Sequence, residues 1–446
     1  MTTLEAADAI DSPARPTRRA AVALVVLGAL FYASYGLSNW LAGLRSDVPS
    51  IVFAWESAVP FLAWTIVPYW TTNLFYAGSL FLCASEAELA VHVRRLLTTQ
   101  LVAVACFLVA PLKVSFAKSD TTGAFGFLYD SLGAFDRPFN QAPSLHVALT
   151  VVLAALWLRH LPRALAPVFV AWSGLVIVST LTTRQHHFVD LPTGALLGFA
   201  VLWAWPMAGA SPLAAARLAA APDRRSLALR YGLAALAVAV LALALGGWGL
   251  WLLWLSVSLS MVALAYAAIG PAAFAKTDDG HMPFAARLLF APYRLAAFAN
   301  SRLWTRAEPT RVAVADGVFL GRFPGGADLA GIAAVVDLTA EFPRPAAAAV
   351  WHAVPMLDLV APDPEGLRSA AEVIEAARAA GSGPVLVVCA LGYGRSVAAL
   401  AVWLIRTGRA AGLDAAIADL RAVRPRLALT PAQSAAIAEA ADVRRP

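Results

Sequence analysis

The sequence predicts two architectures in one chain: an all-α polytopic membrane bundle of about eight helices, then an α/β domain with a mostly parallel central sheet. Three observations carry this. Of 446 residues, 60% are hydrophobic and only 14% are charged, where a soluble domain carries about a quarter. The apolar excess is gathered before about residue 270, in runs long enough to cross a bilayer. From about residue 310 charge returns, and short apolar runs alternate with helical ones, the signature of a parallel sheet covered by helices.

The apolar runs predict helices at 20–43, 57–84, 97–113, 143–159, 163–183, 188–208, 229–246 and 248–270. The second contains Pro60 and Pro68, which break or kink a helix. The expected organisation is a polar tail over 1–19, a membrane domain over 20–210, two further membrane helices over 211–275, an interfacial linker over 276–309 and the α/β domain over 310–446. The net charge of +6 does not read as a nucleic-acid surface. The basic residues lie in short clusters between apolar runs: Arg15, Arg18 and Arg19; Arg94 and Arg95; Arg159 and Arg163; Arg217, Arg224, Arg225 and Arg230. All fall on one side if the N-terminus is cytoplasmic, and an even number of spans then keeps the C-terminal domain cytoplasmic. The run 282–305 mixes arginine with aromatic and aliphatic residues, as a helix lying on the membrane surface or an ordinary linker helix does. No inverted repeat supports a transporter.

In the last third, strands are expected at Val312–Ala315, Val318–Leu320, Ala333–Leu338, His352–Leu357 and Val385–Val388, and helices at 365–380, 396–407, 413–423 and 431–441. Of three cysteines, Cys83 and Cys106 sit in apolar segments and read as packing residues. Cys389 differs. A buried strand ends on it, a turn with Gly392 and Gly394 follows, and a helix starts near Ser396. Such a turn aims backbone N–H groups into an anion cradle at a helix N-terminus. The same field favours a thiolate nucleophile. Arg395 is placed to hold two phosphate oxygens, and Ser396 to hydrogen-bond the sulfur. The run Cys389-x5-Arg395-Ser396 resembles the hallmark of the protein-tyrosine and dual-specificity phosphatases, a resemblance covering about 310–446. It implies an aspartate general acid some 30 residues upstream. Asp358, 31 positions before Cys389, is the favoured candidate and Asp363, at 26, its rival; Pro364-Glu365-Gly366 after Asp363 reads as a helix cap. Where the family has histidine before the cysteine, this chain has Val388. Asp337 reads as structural.

A second constellation lies in the apolar half: Arg137-Pro138, Pro143-Ser144-Leu145-His146, and Arg184-Gln185-His186-His187-Phe188-Val189-Asp190 followed by Gly194 and Gly198. Ionisable residues at membrane-helix ends are functional candidates. His186 and Asp190, four apart, share a face on a helix, so the carboxylate can orient the imidazole. These segments resemble the type 2 phosphatidic acid phosphatase superfamily, with its Pro-Ser-x-His and His-x3-Asp motifs. The resemblance covers about 50–210 and is nearest to the inositolphosphotransferase and sphingomyelin synthase branch. It implies His186 as nucleophile, Asp190 as its orienter, His146 as general acid and Ser144 at the substrate. Leu145 replaces a common glycine, the usual upstream arginine falls on Thr180, and the first motif has no clean copy. Phosphate holding is therefore expected of Arg184, Arg137, Lys113 or Lys118. The pairing of both modules resembles a bacterial fusion family, which implies a multi-pass inner-membrane protein. Neither mechanism calls for a metal or other cofactor. The expected substrates are phosphorylated lipid headgroups or phosphoproteins. In an alternative reading, one module binds a phosphorylated ligand without turning it over and regulates the other.

Overall fold

The structure, a computed structural model, describes residues 15–117, 120–133 and 137–442. Lys118 therefore lies outside the described residues. The chain divides into two compact units, 1–209 and 210–446.

Among its described residues the first unit holds seven α-helices: α1 (Thr17–Gly43), α2 (Ile66–Leu82), α3 (Glu86–Val109), α4 (Gly123–Gly133), α5 (Leu145–His160), α6 (Ala166–Thr182) and α7 (Asp190–Ala204). The run expected to be helical from residue 57 becomes regular only at Ile66, after two short 3-10 turns at Ala54–Ala58 and Ala63–Thr65. Proline supplies no N–H, so Pro60 falls between the turns and Pro68 within the first turn of α2, where no intrahelical donor is lost. Helix α3 starts eleven residues before the expected 97. Ser85 caps it by accepting from Glu88 N at 3.2 Å, and Glu86 and Glu88 sit in its first turn, where they favour the positive end of the helix dipole. Arg94 and Arg95 are thus inside a helix, not in a loop. Arg95 is buried and its Nε donates to Trp205 O at 2.7 Å. Helices α5 and α7 cross closely because two glycines face α5. A Cβ on Gly194 would stand 2.5 Å from Ser144 O, and one on Gly198 2.7 Å from Val151 Cβ. Leu96, Phe107, Val152, Leu156, Leu197 and Val201 fill the core between α3, α5 and α7.

The second unit opens with α8 (Pro222–Leu245) and a helical segment whose regular part is α9 (Leu252–Leu264), continued by a π-helical turn (Ala265–Ile269) and a 3-10 turn to Phe274. Two short helices follow, α10 (Phe284–Leu289) and α11 (Ala291–Trp304), then the five-stranded sheet: β1 (Arg311–Ala315), β2 (Val318–Arg322), β3 (Ala334–Thr339), β4 (Val350–Met356) and β5 (Val385–Cys389), in the order β1-β2-β5-β3-β4. Only β1 runs antiparallel to its neighbour. Helices α12 (Pro364–Ala379), α13 (Arg395–Arg406), α14 (Leu413–Val423) and α15 (Pro431–Ala441) complete the unit. All of β5 is buried, as a central parallel strand must be. Val385, Val387 and Cys389 point into the core shared with α12–α15, while Leu386 and Val388 point into the opposite core with Phe323, Phe342 and Trp351. That alternation sets Cys389 at the carboxyl end of the middle strand.

Among the described residues, five helical segments are long and apolar enough to cross a membrane: Thr17–Gly43, Glu86–Val109, Arg163–Thr182, Pro222–Leu245 and Gly247–Phe274. Helices α2, α5 and α7 are shorter than that, though they lie where spans were expected.

Candidate active sites

Beyond β5 the chain turns through Ala390–Gly394 and enters α13 at Arg395. Gly392 adopts φ +75°, and a Cβ there would lie 2.8 Å from Gly321 O, so a tight turn against β2 needs glycine. Gly394 lacks that demand: its φ is −123° and a Cβ would find ordinary contacts. The turn brings Gly392 N to donate to Cys389 Sγ at 3.3 Å and sets Ser396 Oγ 3.2 Å from the same sulfur. Cys389 and Arg395 are both buried.

Arg395 is held by a residue that the sequence did not single out. Its Nη1 and Nη2 donate to the two carboxylate oxygens of Glu341 at 2.9 and 2.7 Å, and Nη1 also donates to Met356 O at 2.9 Å. The Nε lies 3.3 Å from Asp358 Oδ1 and makes no hydrogen bond among the described residues. The Nη1–Nη2 edge of the guanidinium is thus spent on Glu341, and the remaining Nε is buried beside Asp358. Burial alone would raise the Glu341 pKa and lower that of Arg395, but the Arg395 charge prevails at Glu341, and the charges of Asp358 and then Glu341 prevail at Arg395. Glu341 stays below, and Arg395 well above, its ordinary value. Asp358 follows β4 and retains 36% side-chain exposure despite its crowded setting. Burial first, and then the Glu341 charge, push its pKa above the usual carboxyl value against the pull of Arg395. Asp363 is elsewhere engaged: its carboxylate caps α12 by accepting from Gly366 N at 3.2 Å. Asp337 accepts from the fully buried Lys276 and from Trp351 Nε1. Val388, directly before Cys389, packs in the apolar core.

In the first unit, the segment between α6 and α7 turns at Arg184, where φ is +57°, and both Gln185 N and His186 N donate to Thr180 O. His186 therefore precedes α7 instead of lying on it, which corrects the shared-helix-face expectation. The contact forms all the same. His186 Nδ1 stands 3.1 Å from Asp190 Oδ2, at the first residue of α7, and the same oxygen accepts from His187 N at 2.9 Å. Ser144 Oγ lies 3.3 Å from His186 Nε2 while capping α5, and Ser144 N donates to Asp190 O at 3.0 Å. The rings of His146 and His186 are 6.2 Å apart between centroids, and His146 stacks on Tyr69 at 3.9 Å. A cavity of about 360 Å³ is lined by His186 together with Arg137, Arg184, Gln141 and Gln185. Lys113 is exposed and not part of that lining.

A second histidine–carboxylate pair adjoins this one. His187 Nδ1 stands 2.9 Å from the buried Glu56, and its Nε2 accepts from Ser115 N at 3.0 Å. Glu56 also accepts from Phe53 N and Phe188 N. The sequence signal for Glu56 was a lone carboxylate in an apolar run.

No protein-family model and no curated protein matches this chain. Solved structures match 30% of it. They include human DUSP28, with 29% identity, 93% of that chain covered and a TM-score of 0.27. Tk-PTP in its active form shows 25% identity, 97% coverage and a TM-score of 0.28. PTPMT1 in complex with PI(5)P shows 17% identity, 95% coverage and a TM-score of 0.28.

Proposed function

We propose that this chain is a membrane-embedded phosphomonoester hydrolase working through Cys389. The observation that carries the reading is the convergence on one point of a sulfur flanked by Gly392 N–H and Ser396 Oγ, an arginine whose Nε makes no hydrogen bond among the described residues, and a carboxyl of raised pKa. The Cys389 thiolate attacks phosphorus, and the Nε–Nη2 edge of Arg395 takes two phosphate oxygens. As the P–O bond to the leaving group breaks, Asp358 gives that oxygen its proton. A water, losing its proton to Asp358, then attacks the phosphocysteine, and sulfur leaves as thiolate with Ser396 hydrogen-bonded to it. Inorganic phosphate and an alcohol or phenol are the products. The distribution of Lys and Arg in the sequence supports a cytoplasmic place for this module.

The histidine constellation supports a second activity, phosphoryl transfer from a lipid phosphate. His186, oriented by Asp190, would attack phosphorus, and His146 would protonate the leaving oxygen. Arg137 and Arg184 in the cavity lining would hold phosphate. Water or an alcohol would then take the phosphoryl group.

One experiment tests both: phosphate release from a panel of lipid phosphates and a phosphotyrosine peptide, with wild type, Cys389→Ser and His186→Ala in detergent. Each substitution is expected to abolish a separate subset of substrates. Full activity of Cys389→Ser on every substrate would remove the cysteine mechanism, and full activity of His186→Ala the histidine one.

A further inference from the structure

The loop that carries Asp358 is fastened at two points to the hairpin of α8 and α9. The Tyr266 hydroxyl, on the π-helical turn that ends the apolar segment, donates to Asp358 O at 2.8 Å. Three residues further along the loop, Ala361 N donates to Asp223 Oδ2, at the start of α8, at 3.4 Å. The two anchors are themselves tied together. Arg224, next to Asp223, donates through Nε to Tyr266 O at 3.2 Å and through Nη2 to Ala265 O at 3.3 Å. Tyr266 is 1% exposed and stacks on Tyr231 of α8 with ring centroids 5.6 Å apart. Its phenol thus has little freedom to move away from the loop.

Between the two anchors the loop is strained. Leu359 adopts φ +60°, a left-handed conformation that a bulky residue takes only when its surroundings impose it. Asp358 itself is held to Arg395 only by the 3.3 Å ion pair, with no hydrogen bond to the guanidinium Nε. The position of its carboxyl is therefore set through its backbone, and the backbone is set by the hairpin.

We infer that Tyr266 is a positioning residue for the general acid, so that the α8–α9 hairpin is a working part of the cysteine site and not only an anchor. The inference rests on the cysteine mechanism proposed above. It assigns to Tyr266 no contact with the substrate. Its hydroxyl holds the Asp358 peptide at the distance from which the carboxyl reaches the leaving oxygen, and a small misplacement of a proton donor costs rate.

Loss of a general acid has its own signature: the rate falls most for leaving groups that most need a proton. The test uses the full chain in detergent with two substrates, p-nitrophenyl phosphate, whose phenol leaves readily, and phenyl phosphate, whose phenol does not. Tyr266→Phe keeps the ring stack and deletes the hydrogen bond. It is expected to lower kcat/KM on phenyl phosphate about tenfold, the order of one hydrogen bond, and on p-nitrophenyl phosphate less than twofold. Alkylation of Cys389 by iodoacetamide should proceed at the wild-type rate. Equal losses on both substrates, or none, would overturn the inference. Should Tyr266→Phe not fold, Asp223→Ala releases the other anchor and is read in the same way: a selective loss sustains the inference and a uniform or absent one sinks it. If Cys389→Ser remains active on both substrates, it is the cysteine mechanism that has failed, an outcome separate from any of these.

Discussion

At the scale of single residues, the cysteine site is a balance of two carboxylates around one guanidinium. Arg395 is buried between Glu341 and Asp358, and the two carboxylates are not equivalent. Glu341, hydrogen-bonded to both Nη groups, is kept ionised, whereas Asp358 is pushed toward its protonated form by burial and by Glu341. A carboxyl with a raised pKa keeps its proton to higher pH than a free aspartate does, which is what an acid catalyst needs. Activity on poor leaving groups should accordingly fall as pH rises through the raised pKa of Asp358. In Asp358→Asn that alkaline limb should vanish and the rate fall by about 100-fold. A pH profile of kcat/KM on phenyl phosphate checks it; an unchanged alkaline limb would assign the acid to another group. Much of this site was legible because it is local. Cys389, Gly392, Arg395 and Ser396 fall within eight consecutive residues, and their strand-turn-helix pattern is dictated by one apolar run and two glycines. Glu341 was not legible. It lies 54 positions from Arg395, and no spacing rule links the end of β3 to the start of α13.

At the scale of elements, the histidine site depends on how closely α5 and α7 approach. Ser144 caps α5 and Asp190 begins α7, and a hydrogen bond from Ser144 N to Asp190 O joins them. Gly194, one turn into α7, makes room for that junction. Gly194→Ala should force Ser144 and Val147 away from α7 and destabilise the first unit by about 1–3 kcal/mol. Gly174→Ala in α6, where a Cβ would meet nothing within 4 Å, is the neutral control. Thermal unfolding of the two variants separates them, and equal melting temperatures would refute the packing argument. The sequence singled out Gly194, Gly198 and the His186–Asp190 spacing. It misread the local geometry, because the turn at Arg184 and the bonds to Thr180 O are properties of the end of α6. The start of α3 was missed for a different reason. The Ser85-x-x-Glu88 pattern of a helix N-terminus was present, but hydropathy alone put the boundary beyond Arg94 and Arg95. Long cationic side chains do not end a helix when a carbonyl such as Trp205 O is in reach.

At the scale of the molecule, the second unit joins an apolar hairpin to the five-stranded sheet through groups that water does not reach. Lys276 comes two residues after the last apolar segment, and its ammonium is fully buried against Asp337 and Thr339 of β3. Replacing it by methionine would leave the Asp337 carboxylate buried without its charge partner. Lys276→Met should therefore cost about 3–5 kcal/mol, seen as a lower midpoint when the protein is unfolded in denaturant. A midpoint unchanged from wild type would show the pair to be dispensable. The strands and helices α12–α15 of this unit lay close to where periodicity put them, since each buries its own apolar face. Contacts between Tyr266 and Asp358, 92 positions apart, or between Lys276 and Asp337, arise only when the segments meet, and composition carries no trace of them.

The grip of Glu341 on Arg395 bears on competition. A protein among membrane lipids is surrounded by phosphodiester headgroups, each an anion ready to settle on an exposed guanidinium. Arg395 comes with its own resident counter-ion and is already half engaged. A singly charged diester offers little beyond what Glu341 supplies, whereas a dianionic monoester brings a second charge and terminal oxygens to compete for the guanidinium. On the proposed mechanism, the carboxylate that occupies the arginine would therefore act as a threshold that favours dianionic monoesters over singly charged diesters.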